Sequence, residues 1–254
     1  MHAAAPRQVS GSLSNASPAA RVGIVVALAV EASPLGRPIR RASDHAILAD
    51  GSLLAVSGIG RAAATLGARA LVHAGARALV SFGLAGGLDP ALAPGAIFLP
   101  THVVLRDART LATTSAWHER MTSALASLHP VSAGSLLTSA RPLISVTDKA
   151  AAQRDTGAAA VDMESFAIAE VAQVHGLPFV CARVIVDAAH DALPAALLQA
   201  ADRTGRLRIT RLLAQLVRAP GDLGALLHLA RCYRLAHRSL RAVARGGAWA
   251  DCCA

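Results

Sequence analysis

The sequence predicts an α/β layered fold with a largely parallel sheet, and three observations carry that prediction. Apolar runs of strand length alternate with segments of helical length as far as residue 217. Several of those runs are continuously apolar, the pattern of strands covered on both faces. Polar and glycine-rich segments follow them directly, at the strand exits where open α/β sheets hold their ligands.

The first run, residues 22–30, reads as a nine-residue strand that ends at Glu31. Ser33-Pro34 then reads as a helix cap followed by proline in the first turn. Further strands are predicted at 53–57, 78–82, 96–99, 131–137 and 179–186, and helices at 61–74, 113–128, 144–154, 164–175 and 195–217. Pro142 and residues 187–194 read as loops within one domain, and no internal repeat is present. Pro220-Gly221 marks the one boundary, dividing a body at 21–219 from a basic helix and tail at 220–254. Residues 1–20, rich in Ala and Ser, are expected to form a disordered arm.

Composition narrows the function. With 254 residues, 54% of them apolar, the chain can bury a core without disulfides or a structural metal, which excludes a disordered chain and a coiled coil. A mean hydropathy of +0.45 raises the question of a membrane span. Charged residues, glycine or proline break every apolar run before the ~18 residues a span needs. An aromatic content of 3% argues against a nucleic-acid stacking platform, so no nucleic-acid partner is expected. The net charge of +9 is unevenly placed: residues 201–254 hold ten arginines against Asp202, Asp222 and Asp251, leaving the first 200 residues nearly neutral. The four cysteines, Cys181, Cys232, Cys252 and Cys253, form no CxxC pair or familiar zinc spacing. Reduced thiols, a cytoplasmic location and no metal are therefore expected. The run at 22–30 lacks a small-residue cleavage site, so no signal peptide is expected.

The strand exits carry the chemistry. Glu31 follows an apolar run, where a carboxylate must emerge or be buried at a penalty of several kcal/mol; an acid favouring the dipole of the next helix explains it equally well. Ser57-Gly58-Ile-Gly60-Arg61 formally fits a dinucleotide fingerprint, but residues 78–82 supply no acid on the next strand tip. What remains is a helix N-terminus whose free N–H groups suit an anion, a water or a ribose oxygen. Gly83-Leu-Ala85-Gly86-Gly87-Leu88 reads as a turn that lets backbone approach a planar ligand. In Val161-Asp162-Met163-Glu164, Asp162 suits a capping role, while Glu164 beside a methionine reads as part of a ligand clamp. Asp187 stands one step beyond a buried strand, and His190 and Asp191 read as polar loop residues. Three acids at three strand exits, Glu31, Glu164 and Asp187, flanked by two glycine turns, point to one crevice. Two carboxylates there can divide the labour, one protonating a leaving group and the other activating water or steadying a cation.

In this order the motifs resemble the nucleoside phosphorylase superfamily, in the branch of the methylthioadenosine/S-adenosylhomocysteine nucleosidases, over residues 22 to about 190. The resemblance implies a three-layer αβα fold around a mixed central sheet, cleavage of a purine N-ribosidic bond, and a homodimer. It implies that Asp187 protonates the departing purine, Glu164 holds the ribose hydroxyls, Met163 packs on the sugar and Glu31 activates water. It places Gly58, Ala85, Gly86, Val161 and Arg61 around the substrate, with no metal and no cofactor. Inorganic phosphate is the alternative nucleophile: Glu31 favours water, whereas Arg61 beside a glycine turn favours phosphate. Members of that branch usually carry Glu where Asp162 stands, Ser where Val186 stands, and a base-stacking aromatic near Pro142-Leu143. Here residues 138–144 contain no aromatic, which implies a reshaped pocket.

The C-terminal segment adds to this. Arg231, Arg234, Arg238, Arg241 and Arg245 recur at helical spacing, with Leu226, Ala230, Tyr233 and Leu240 on a neighbouring face. A basic amphipathic helix of this kind suits peripheral contact with an anionic membrane, here the inner membrane face. The ending also looks like that of the hopanoid-associated phosphorylases, whose implied substrate is the lipid nucleoside adenosylhopane. A soluble methylthioadenosine-type nucleoside is the alternative substrate.

Overall fold

Val22, Gly23, Ile24, Val25 and Val26 are all buried, and together they form the first strand, β1 (Val22–Val26), inside a twelve-stranded sheet. This computed structural model describes residues 21–127, 129–193, 222–246 and 249. The arm expected at 1–20 and the helix expected at 195–217 lie outside the described residues. In chain order the remaining strands are β2 (Arg40–Arg41), β3 (Ala46–Ile47), β4 (Leu53–Val56), β5 (Ala78–Gly87), β6 (Ile97–Phe98), β7 (His102–Val104), β8 (Thr110–Ala112), β9 (Val131–Ser132), β10 (Ser135–Thr138), β11 (Ala160–Asp162) and β12 (Phe179–Asp187). The helices are α1 (Ala29–Ala32), α2 (Arg61–His73), α3 (Ser115–Ala126), α4 (Val146–Thr156), α5 (Ser165–Val174) and α6 (Asp222–Gly246).

The sheet is mixed. Its centre, β4-β1-β5-β12, is parallel, while β5 meets β11 and β12 meets β6 in antiparallel pairs. Side chains alternate between its two faces, as strand geometry requires. Val25, Leu79 and Cys181 face a core closed by α2 and α5, whereas Ile24, Val80 and Val180 face one closed by α3 and α6. That is the three-layer αβα arrangement. None of the described helices is long and apolar enough to cross a membrane.

Three sequence-based expectations change at the strand ends. The run at 22–30 does not continue as strand beyond Val26, and Glu31 lies inside α1 instead of just past a strand. Residues 83–87 are not a turn but the far half of β5, because backbone partners are available on both sides: β12 along 83–86, and β11 opposite Gly86 and Gly87. The run at 131–137 breaks at Gly134, whose φ of +147° divides β9 from β10 so that each finds a different neighbour. In α4, the Ser145 side chain accepts the Asp148 N–H, and Gly157 ends the helix in the left-handed conformation that glycine adopts without penalty.

The C-terminal helix also differs from expectation. Cys232, Ala236, Leu240 and Val243 are its buried positions and pack on the body, while Ala230 is exposed and Tyr233 half-buried. The five arginines expected on its polar side, Arg231, Arg234, Arg238, Arg241 and Arg245, are all exposed.

Candidate active site

A cleft of about 300 Å3 opens at the carboxyl ends of β1, β5 and β12, with β11 and the segment before α4 on its other side. Glu31 reaches its floor because the chain turns into α1 directly after β1. Its carboxylate accepts N–H bonds from Ala27 (3.0 Å), Leu28 (2.9 Å) and Leu84 (2.8 Å). Burial pushes its pKa up, against the opposing pull of Arg183 and those three N–H groups. Gly83 makes the approach possible: a Cβ there would lie 2.5 Å from Glu31 Oε1 and 2.6 Å from an Arg183 nitrogen.

Glu164 occupies the N-cap position of α5, and its Oε1 accepts the Gly60 N–H at 2.8 Å. The glycine turn at 58–60 therefore presents a donor to a carboxylate of the site. Burial, reinforced by the negative charge of Asp162, raises the Glu164 pKa to about 7, with Arg183 and the Gly60 N–H opposing. Asp162 is committed elsewhere. It pairs with Arg183 at 2.7 Å, accepts the Thr138 hydroxyl at 2.8 Å and caps the Ser165 N–H at 3.0 Å. Arg183 is held beneath the cleft by Asp162 together with the hydroxyls of Ser81 (2.6 Å) and Ser165 (2.8 Å). Its charge is what lets three acids share one buried region.

Asp187 is the last residue of β12, opposite Gly86, at a point where the strand register shifts. It forms an ion pair with Lys149, the chain's single lysine, which projects from α4 and is 1% exposed. The same ammonium donates to the carbonyls of Ala188 (2.7 Å) and Asp191 (2.9 Å), so each of its three protons has an acceptor. Burial raises the pKa of Asp187, and Lys149 opposes that rise.

Of the residues singled out from sequence, Glu31, Glu164, Asp187, Ala85, Gly86, Val161 and Met163 all line the cleft. Gly58 and Arg61 do not. Gly58 ties its N–H to the Ala27 carbonyl at 3.0 Å, and Arg61 lies over the Phe166 ring with Glu170 3.9 Å away. Apolar packing and a nearby acid draw that guanidinium away from the ligand space. Sequence reasoning missed Lys149 and gave Arg183 no role. A sole lysine among twenty-four arginines was the available signal for the first. A fully apolar strand interrupted by one arginine was the signal for the second.

The arrangement has two poles. Glu31 and Glu164 form a pole of acids anchored by backbone N–H groups, and Asp187 paired with Lys149 forms the other. Between them, the backbone at Ala85-Gly86 and the side chains of Val161 and Met163 offer apolar surfaces to a flat ligand with a polar sugar-sized appendage.

The family model of the phosphorylase superfamily matches residues 21–218. Among solved structures, a methylthioadenosine/S-adenosylhomocysteine nucleosidase from Neisseria meningitidis in complex with methylthio-immucillin-A is 19% identical, with a TM-score of 0.67 over 89% of this chain and 97% of that one. Futalosine hydrolase of Helicobacter pylori is 17% identical, with a TM-score of 0.65 over 92% and 97%. A nucleosidase of the same kind from Colwellia psychrerythraea, in complex with adenine, is 23% identical, with a TM-score of 0.60 over 68% and 84%. Among curated protein sequences none matches. At these identities the likenesses establish the shared fold.

Proposed function

Because the chain belongs to the phosphorylase superfamily, we propose that its cleft cleaves the N-ribosidic bond of a purine nucleoside, with water as the nucleophile. The observation that carries this reading is the pairing of two poles, a buried Asp187 backed by Lys149 and a backbone-anchored Glu31 beside Glu164. Breaking the bond leaves positive charge on the sugar and negative charge on the base, so each pole answers one need.

Asp187 gives its proton to the leaving purine. Burial favours the protonated acid, and the Lys149 ammonium stabilises the carboxylate left behind. Glu164 accepts from the ribose hydroxyls, and Met163 packs on the sugar. Glu31, whose carboxylate form the three N–H donors and Arg183 favour against the opposing effect of burial, takes a proton from the attacking water. Ala85, Gly86 and Val161 bound the base. Arg61, the cation that favoured phosphate, is engaged at Phe166 and does not line the cleft.

For the substrate we favour adenosylhopane, a purine nucleoside carrying a bulky lipid on its sugar, acted on at the inner membrane face. Leu28 and Ile59 form an apolar rim on the cleft, no aromatic closes it at 138–144, and the exposed arginines of α6 suit an anionic surface. A soluble methylthioadenosine-type nucleoside is the second reading, favoured by the likeness to nucleosidases over nearly their whole length. The test is adenine release from adenosylhopane in detergent and from methylthioadenosine in buffer, each with and without phosphate. Release from the lipid nucleoside that ignores phosphate supports the reading. Turnover confined to methylthioadenosine overturns the lipid assignment, and a requirement for phosphate overturns hydrolysis.

A further inference from the structure

Outside the cleft, one side-chain cluster has no part in the chemistry above. Asp191 lies in the loop after β12, and His228 and Cys232 lie one turn apart on α6, so their donor atoms meet where the helix crosses the loop. The carboxylate, imidazole and thiol donor atoms lie within 4.8 Å of one another. His228 Nε2 is 3.1 Å from Asp191 Oδ1 and 3.4 Å from Cys232 Sγ. One ring nitrogen carries one proton or one lone pair, so it cannot form a full hydrogen bond with both partners at once. Convergence of an oxygen, a nitrogen and a sulfur on a common point is the geometry of coordination. The two separations from the imidazole nitrogen agree: usual zinc–ligand lengths at tetrahedral angles give nitrogen–oxygen edges of about 3.3 Å and nitrogen–sulfur edges of about 3.5 Å.

We propose that Asp191, His228 and Cys232 form a zinc site that fastens the C-terminal helix to the loop following β12. The donor set is of the borderline-soft kind zinc prefers. Cys232 is buried, and Asp191 Oδ2 is already fixed by the Ala188 N–H at 2.9 Å, which aims Oδ1 at the site, as a supporting bond does for a metal-bound carboxylate. His228 and Asp191 also line a second, open cleft with Asp187, His190 and Leu229, so a fourth position is accessible to water. On binding, the Cys232 thiol loses its proton to solvent and its sulfur forms the metal bond, with no change of oxidation state. The loop so fastened is the one whose Ala188 and Asp191 carbonyls hold Lys149. Sequence spacing concealed the site, since its third ligand lies 37 residues before His228.

Cobalt(II) titration of chelator-treated full-length protein tests the site, with Cys252 and Cys253 replaced by serine so that the terminal thiols contribute no signal. One equivalent of cobalt with a thiolate-to-metal charge-transfer band is expected, and zinc should displace it. C232S should remove the band. H228A, at an exposed position that spares the fold, should weaken cobalt binding by more than about 100-fold, beyond the roughly 10–100-fold that loss of an outer partner causes. No uptake, a band that survives in C232S, or an H228A affinity within about 100-fold of the parent protein's overturns the proposal.

Discussion

At the level of single residues, the decisive feature is a buried lysine where the sequence advertised only acids. Lys149 and Asp187 are both almost wholly enclosed, so removing one partner strands a charge in the interior. Lys149→Met should destabilise the fold by about 3–5 kcal/mol in urea unfolding, and Lys149→Met combined with Asp187→Asn should recover most of that loss. Additive losses would show that the pair is not coupled. Glu164 provides a second reading of the same interior. Its pKa, raised to about 7 from 4.5, means the folded protein binds a proton that the unfolded chain has released. That stabilisation is fully present below pH 4.5 and is lost as the pH rises through about 7. The wild type should therefore lose up to ~3 kcal/mol relative to Glu164→Gln between acidic and mildly alkaline pH, as unfolding curves at about pH 5 and about pH 8 would measure. A pH-independent difference between the two would contradict the shift. The acids were legible because a carboxylate beside an apolar run must either emerge toward a ligand space or be buried at a penalty. Lys149 was not, because it lies in a helix whose other residues are mostly polar, and burial of one position in such a helix leaves no periodic trace.

Among the elements, the helix at the C-terminus shows what spacing can and cannot say. Its arginines follow the helical period and are exposed as expected, but the face it buries is set by what it meets, α3 and the sheet, and runs through Cys232, Ala236, Leu240 and Val243. Leu240→Ala should cost about 2–5 kcal/mol of stability, whereas Arg234→Ala should stay within about 0.5 kcal/mol. Equal, small effects would mean that the helix is not docked. The long apolar strands were readable because burial on both faces demands uninterrupted Val, Ile, Leu and Ala. The two-residue strands β2 and β3 are too short for any period to register, and they form through pairing that only the assembled sheet supplies. The extension of β5 through its glycines has the same origin: glycine permits a turn, yet partners on both edges make extended backbone the better state.

For the whole molecule, the parallel centre followed from alternating strands and helices, while the antiparallel joins of β5 with β11 and of β12 with β6 did not, because sequence order does not fix strand direction across long connections. Those joins bring the ends of β5, β11 and β12 to one place, and with them Glu164, Gly86 and Asp187. There, on the proposed function, the cleft splits a purine from its ribose with Asp187 as the acid and water as the nucleophile. The most direct measurement follows adenine release from adenosylhopane and from methylthioadenosine in water enriched in heavy oxygen, using the wild type and Asp187→Asn with folding checked by circular dichroism. Free adenine and a sugar bearing the heavy oxygen at its anomeric carbon are expected, with a rate lower by about 10²–10⁴ in the variant. Unlabelled sugar 1-phosphate, or a folded Asp187→Asn protein that turns over at the wild-type rate, would contradict the proposed function.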